Sequence, residues 1–260
     1  MKKVGLVLSG GGARGFAHLG LLQLLDELKI SIDSISGVSA GSIAGAFYAA
    51  GFLPNDILKI LKENSYLRIK NILWKADGFF SLEPLLKILQ KNIPHNQFEL
   101  LQKKLFITAT DLQKGESVVF ENGNLHNAIM ASAAIPVIFK PIEINNDKFV
   151  DGGLLNNLNA EILKPTCDFI IGHHVNKLNQ QNVLSSKIHL LEHCFHLSIA
   201  HQVYEQAKHC DIFIEPDLNH YKMFDTEDAD KIFEAGYNEA LKYKEKFLNQ
   251  LLANSTTNGF

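Results

Sequence analysis

The sequence is poor in cysteine, balanced in charge and without a long apolar run. Its three cysteines (Cys167, Cys194, Cys210) are odd in number and show neither CxxC nor zinc-finger spacing. This pattern excludes a disulfide framework and reads as reduced, mostly buried thiols in a cytoplasmic protein. A net charge of −3 argues against a broad nucleic-acid surface, while leaving room for a local basic patch. No stretch is long and apolar enough to span a bilayer. Met1-Lys2-Lys3 and the run Val4 to Leu8 imitate a signal peptide, but the run is too short and passes straight into glycines, so it reads as a first core strand. Repeats and low-complexity linkers are absent. One domain over residues 1–252 is expected, followed by a polar, disordered tail at 253–260.

What is present is material for a large core: 46% hydrophobic residues against 20% charged. The chain is organised around Gly37-Val38-Ser39-Ala40-Gly41, where an apolar run meets a small-residue helical run. A Gly-x-Ser-x-Gly turn between strand and helix holds its serine out of the backbone with the hydroxyl exposed. The plain alternative is a helix N-terminus capped by Ser39 or Ser42.

Upstream, Val4 to Leu8 is followed by Gly10-Gly11-Gly12-Ala13-Arg14-Gly15, and then by leucines in helical spacing (Leu19, Leu22, Leu25). Such a loop presents unpaired backbone N–H groups at the positive end of a helix dipole and suits a negative group. Two uses are open. Gly10-x-Gly12-x-x-Gly15 matches the dinucleotide fingerprint, with Asp33 near the place of a ribose-binding acid; this reads as an NAD(P)-binding oxidoreductase. Against it, Asp33 comes before the second strand ends, and that strand runs into the serine turn. The other use is an oxyanion hole for acyl transfer, with Gly11 and Gly12 as first donors and Gly10 close behind. Arg14 would then bind a substrate phosphate head group or brace the loop.

A serine nucleophile needs a base. None of the eleven histidines sits in a recognisable triad motif. His193 and His196, with Glu192 and Cys194, have nonspecific spacing, so no metal site is read there. Asp151, followed by Gly152 and Gly153 after a short strand, is the better candidate, because an open turn lets its carboxylate face a neighbouring loop. Residues 66–80 interleave Arg68, Lys70 and Lys75 with Trp74, Phe79 and Phe80. They suit either a transient contact with a membrane surface or an apolar lid packed on the body.

Together, Gly10 to Gly15 with Ala17-His18, Gly37 to Ser42, Ala131-Ser132-Ala133-Ala134-Ile135-Pro136 and Asp151-Gly152-Gly153-Leu154-Leu155-Asn156-Asn157 resemble the patatin-like phospholipase family. The resemblance implies a three-layer α/β/α sandwich with a central, mostly parallel sheet, in agreement with the order of strands and helices read above. It also implies a Ser39–Asp151 dyad, an oxyanion hole in the glycine loop, lipid acyl esters (phospholipid or lysophospholipid) as substrates, and no cofactor. One departure is Asn159, where the family commonly has proline; it puts the rigidity of that turn in question. The C-terminal hundred residues add little to the resemblance. A protein that binds lipid without catalysis is the remaining reading.

Overall fold

A computed structural model describes residues 2–64, 80–178 and 187–252. The lid or membrane segment read at 66–80 (Phe80 apart) and the tail at 253–260 lie outside the described residues.

Eight strands form one sheet: β1 (Val4–Leu8), β2 (Ser34–Val38), β3 (Lys104–Asp111), β4 (Glu116–Phe120), β5 (Ile142–Ile144), β6 (Asp147–Asp151), β7 (Phe169–His173) and β8 (Ile212–Ile214). Their order is β5-β6-β3-β2-β1-β7-β8, with β4 also paired to β3. The run from β3 to β8 is parallel, and β4, β5 and β6 are antiparallel. The helices are α1 (Phe16–Glu27), α2 (Ala40–Ala49), α3 (Pro54–Asn64), α4 (Glu83–Asn92), α5 (Leu125–Ser132), α6 (Lys187–Ala207), α7 (Ala229–Leu241) and α8 (Lys244–Phe247).

Strands buried on both faces explain why their sequences read as continuous apolar runs. Leu6, Leu8, Leu105, Ile107, Phe169 and Ile171 point into the larger core with α1, α2, α4, α5 and α7. Their alternates Val7, Phe106 and Ile170 pack with Leu158, Leu163 and Val203 of α6 on the other face. This is the expected three-layer, mostly parallel sandwich. The described chain ends in α7, which starts after Asp228, then α8 and a wider turn at Leu248–Leu252.

Register explains how distant residues meet. Val38, the last residue of β2, lies opposite Thr108, and Asp151, the last of β6, lies opposite Ala109. β4 pairs with Ile107 to Asp111 and so takes the other edge of β3. Strands β2 and β6 therefore run toward each other along one edge, and their C-terminal ends abut. Ser39 and Asp151 are brought together there.

Candidate active site

Ser39 turns the chain from β2 into α2 with φ 50° and ψ −118°. A non-glycine residue at positive φ is strained, and such strain persists only where the surroundings hold it. Here the hold is explicit. The Ser39 N–H donates to Ser132 Oγ at 2.8 Å, and that hydroxyl donates to the Thr108 carbonyl at 2.7 Å. The Ser39 carbonyl accepts from the N–H groups of Ser42 and Ile43 and from Ser42 Oγ. The Ser39 side chain makes no capping bond, so the plain reading of this serine as a helix cap fails.

The Ser39 hydroxyl instead interacts with Asp151. Both residues are buried. The Asp151 carboxylate also accepts the Gly153 N–H at 2.8 Å. Burial pushes its pKa up to about 6; the bonds from Ser39 and Gly153 pull the other way and offset only part. The turn after Asp151 passes so close to β3 that a Cβ on Gly152 would lie 2.2 Å from the Thr108 carbonyl oxygen. Asn159, the residue that departs from the family pattern, donates its amide to Thr108 Oγ1 at 3.1 Å, and its carbonyl accepts from Ser36 Oγ at 2.8 Å. Hydrogen bonds anchor that turn in place of a proline ring.

The glycine loop lies against the serine turn. A Cβ on Gly10 would come within 3.1 Å of Ser39 Cβ. Gly12 has φ +55°, and a Cβ there would meet the Met223 carbonyl oxygen at 2.3 Å, so only glycine fits without strain. Among the described residues no acceptor pairs with the N–H of Gly11 or of Gly12. Gly10 is different, because its N–H already donates to Asn157 Oδ1 at 3.0 Å. Arg14 is buried, and its guanidinium donates to the Tyr221 carbonyl (3.0 Å) and to Asn176 Oδ1 (3.3 Å), the contacts of a brace.

Sequence reasoning missed this outer ring. Asn157 and Ser132 lay inside motifs but had no role assigned. Asn176, Tyr221 and Met223 carried no local signal at all, yet residues 221–223 clasp the loop through the Met223 carbonyl, which accepts from Ala13 N–H at 2.7 Å. The C-terminal segment thus contributes to the site. Beneath the loop, His18 Nε2 lies 2.8 Å from the Ser9 carbonyl and His18 Nδ1 lies 2.8 Å from His173 Nδ1. Burial pushes His18 down to about 4 and His173 well below the usual range, so both rings are neutral at pH 7. A carbonyl only accepts, so His18 carries its proton on Nε2 and His173 on Nδ1. Neither ring hydrogen-bonds Ser39.

The dinucleotide reading meets two obstacles. The Asp33 carboxylate accepts the Val4 N–H at 2.7 Å, at the start of β1. The glycine loop is at the other end of that strand, roughly 17 Å away at the rise of an extended chain. An acid there is at the wrong end of the sheet for a ribose. Cys167 and Cys210 are half-buried and Cys194 is exposed, against the expectation of mostly buried thiols; all three are free. Among the described residues no group of three or more acidic, histidine or cysteine side chains could hold a metal ion.

The family model for patatin-like phospholipases matches residues 6–164. The chain belongs to the patatin-like phospholipase family. It is 37% identical over 158 residues to an uncharacterised NTE family protein of Mycobacterium tuberculosis, covering 60% of this chain and 44% of that one. It is 29% identical over 161 residues to the lysophospholipase NTE1 of Candida glabrata, covering 60% of this chain and 9% of that one. The chain therefore spans less than half the length of these relatives. In fold it is similar to VipD from Legionella pneumophila, with TM-score 0.58 and 17% identity over 94% of this chain and 67% of that one. Among the described residues no helix is long and apolar enough to cross a membrane.

Proposed function

We propose that the protein is a serine hydrolase of lipid acyl esters, phospholipid or lysophospholipid. The observation that carries this reading is the buried Asp151 carboxyl, raised to about 6 and hydrogen-bonded with a serine held at positive φ. Asp151 takes the Ser39 proton as Ser39 Oγ attacks the ester carbonyl carbon. The C–O bond forms, the carbonyl π pair moves to oxygen, and the oxyanion is received by Gly11 and Gly12 N–H, with α2 and α1 directing their positive ends toward it. Collapse expels the alcohol, protonated by Asp151. Water, deprotonated by the same carboxylate, then cleaves the acyl-enzyme.

No histidine is required, because a carboxylate with a pKa near neutrality is itself a competent base. Gly10 is set aside as a donor, since its N–H is committed to Asn157. Arg14 acts as a brace. A small apolar cleft between Gly12 and Ala40, lined by Phe16, Leu19, Ala44 and Leu61, favours an apolar substrate portion beside the nucleophile. The similarity to the Candida glabrata lysophospholipase supports the substrate class. The test is hydrolysis of a panel of phospholipids, lysophospholipids and neutral lipids by wild type and Ser39→Ala. Acyl release by wild type that disappears in a folded Ser39→Ala variant is expected; equal release by both would end the proposal.

A further inference from the structure

The N–H of a peptide unit points opposite to the C=O of the same unit, because the unit is planar and trans. Whatever grips the Gly10 carbonyl therefore aims the Gly11 N–H. That grip comes from Asn176, three residues beyond β7 and outside the span matched by the family model. Asn176 Nδ2 donates to the Gly10 carbonyl at 2.7 Å, and its Oδ1 accepts from Arg14 Nη1 at 3.3 Å. The orientation of the amide is fixed by chemistry. The reverse would set donor against donor at Arg14 and acceptor against acceptor at Gly10. Asn176 is buried, so water does not substitute for either contact.

Neighbouring peptide units of the loop are pinned as well. The unit joining Ser9 and Gly10 is held at its carbonyl by His18 and at its N–H by Asn157. The unit joining Gly10 and Gly11 is held only at its carbonyl end, by Asn176 and by Ser9 Oγ at 3.1 Å. Its N–H end is open among the described residues. A unit clamped at one end, with a free donor at the other, suits a donor preset for a charge that arrives during reaction.

We propose that Asn176 is a positioning residue for the oxyanion hole, aiming the Gly11 N–H by holding the Gly10 carbonyl, with Arg14 fixing the amide. This rests on the serine-hydrolase reading above. It goes beyond that reading by giving the C-terminal part of the chain a defined task in the reaction.

Asn176→Asp tests it. The substitution keeps size and an oxygen for Arg14, but replaces the donor facing the Gly10 carbonyl with an acceptor. Expected is a fall in kcat of about 100-fold on a soluble p-nitrophenyl ester, the scale of losing one oxyanion donor. KM should stay within about two-fold and the melting temperature should hold, because Arg14 keeps its partner. Asn176→Ala, which leaves the Gly10 carbonyl only its weaker bond from Ser9 Oγ without repelling it, should lose about 10-fold and decides the matter if Asn176→Asp does not fold. Unchanged kcat, a rise in KM alone, or a loss of kcat matched by a loss of melting temperature in both variants would overturn the proposal. The parent reading fails differently: wild type itself would be inactive on every ester and unlabelled by a fluorophosphonate.

Discussion

Replacing Asp151 with asparagine should stabilise this protein while abolishing its turnover. The carboxyl is buried, and its pKa stands at about 6 against an ordinary 3.8. The folded state therefore binds a proton more tightly than the unfolded chain does. Between about pH 4 and pH 6 the folded protein retains a proton that the unfolded chain has lost, so stability falls as pH rises through that window. Above about 6 the full cost of the buried charge is present, roughly 3 kcal/mol for a shift of about two units. Asparagine carries no charge. Its Oδ1 can still accept the Gly153 N–H, and its amide can face Ser39. At pH 8 the Asp151→Asn variant should melt about 5–10 °C higher than wild type, at a few degrees per kcal/mol for a chain of this size. At pH 4.5, where the folded carboxyl is mostly protonated, only about 1 kcal/mol of that gain should remain. Thermal unfolding of both proteins at the two pH values, with ester turnover measured alongside, is the assay. A variant less stable than wild type at pH 8, or equally stabilised at both pH values, would refute the reasoning.

Two further outcomes follow from the same geometry. The acid limb of kcat/KM should have its midpoint at about pH 6, because Asp151 acts only when ionised; a midpoint near 4 in a pH–rate profile would place the base elsewhere. Ser132→Ala removes the acceptor of the Ser39 N–H and the donor to the Thr108 carbonyl, leaving two buried groups unpaired. It should cost about 2 kcal/mol in denaturant unfolding and lower kcat more than it alters KM; a variant with wild-type stability and kcat would show that Ser132 does not hold the strained turn.

The sheet was legible in the sequence because its strands are short apolar runs ended by glycine or by asparagine turns, as at Leu8 and at Asn145-Asn146. Ser39 and Asp151 were legible for a related reason, since each stands at the C-terminal end of a strand and is followed by small residues that permit close approach. Their adjacency was not. It depends on β2 and β6 sharing one edge of β3, a register that no local pattern encodes. The braces were hidden for the same reason. Asn176, Tyr221 and Met223 act across more than 150 residues of sequence on the glycine loop, two of them through backbone carbonyls, which a residue of any type could supply. The Gly10-x-Gly12-x-x-Gly15 pattern misled because a loop open to an oxyanion and a loop open to a pyrophosphate need the same backbone. The Asp33 carboxylate, bound to the Val4 N–H at the start of β1, weighs against the pyrophosphate.

The most direct test is the mass-spectrometric mapping of a fluorophosphonate adduct on wild type, Ser39→Ala and Asp151→Asn. The expected result is one adduct per chain on the peptide containing Ser39, none on Ser39→Ala, and labelling slowed by at least about 100-fold on folded Asp151→Asn, the usual scale of a general base. An adduct on another residue, or Asp151→Asn labelled at the wild-type rate, would contradict a Ser39 nucleophile activated by Asp151.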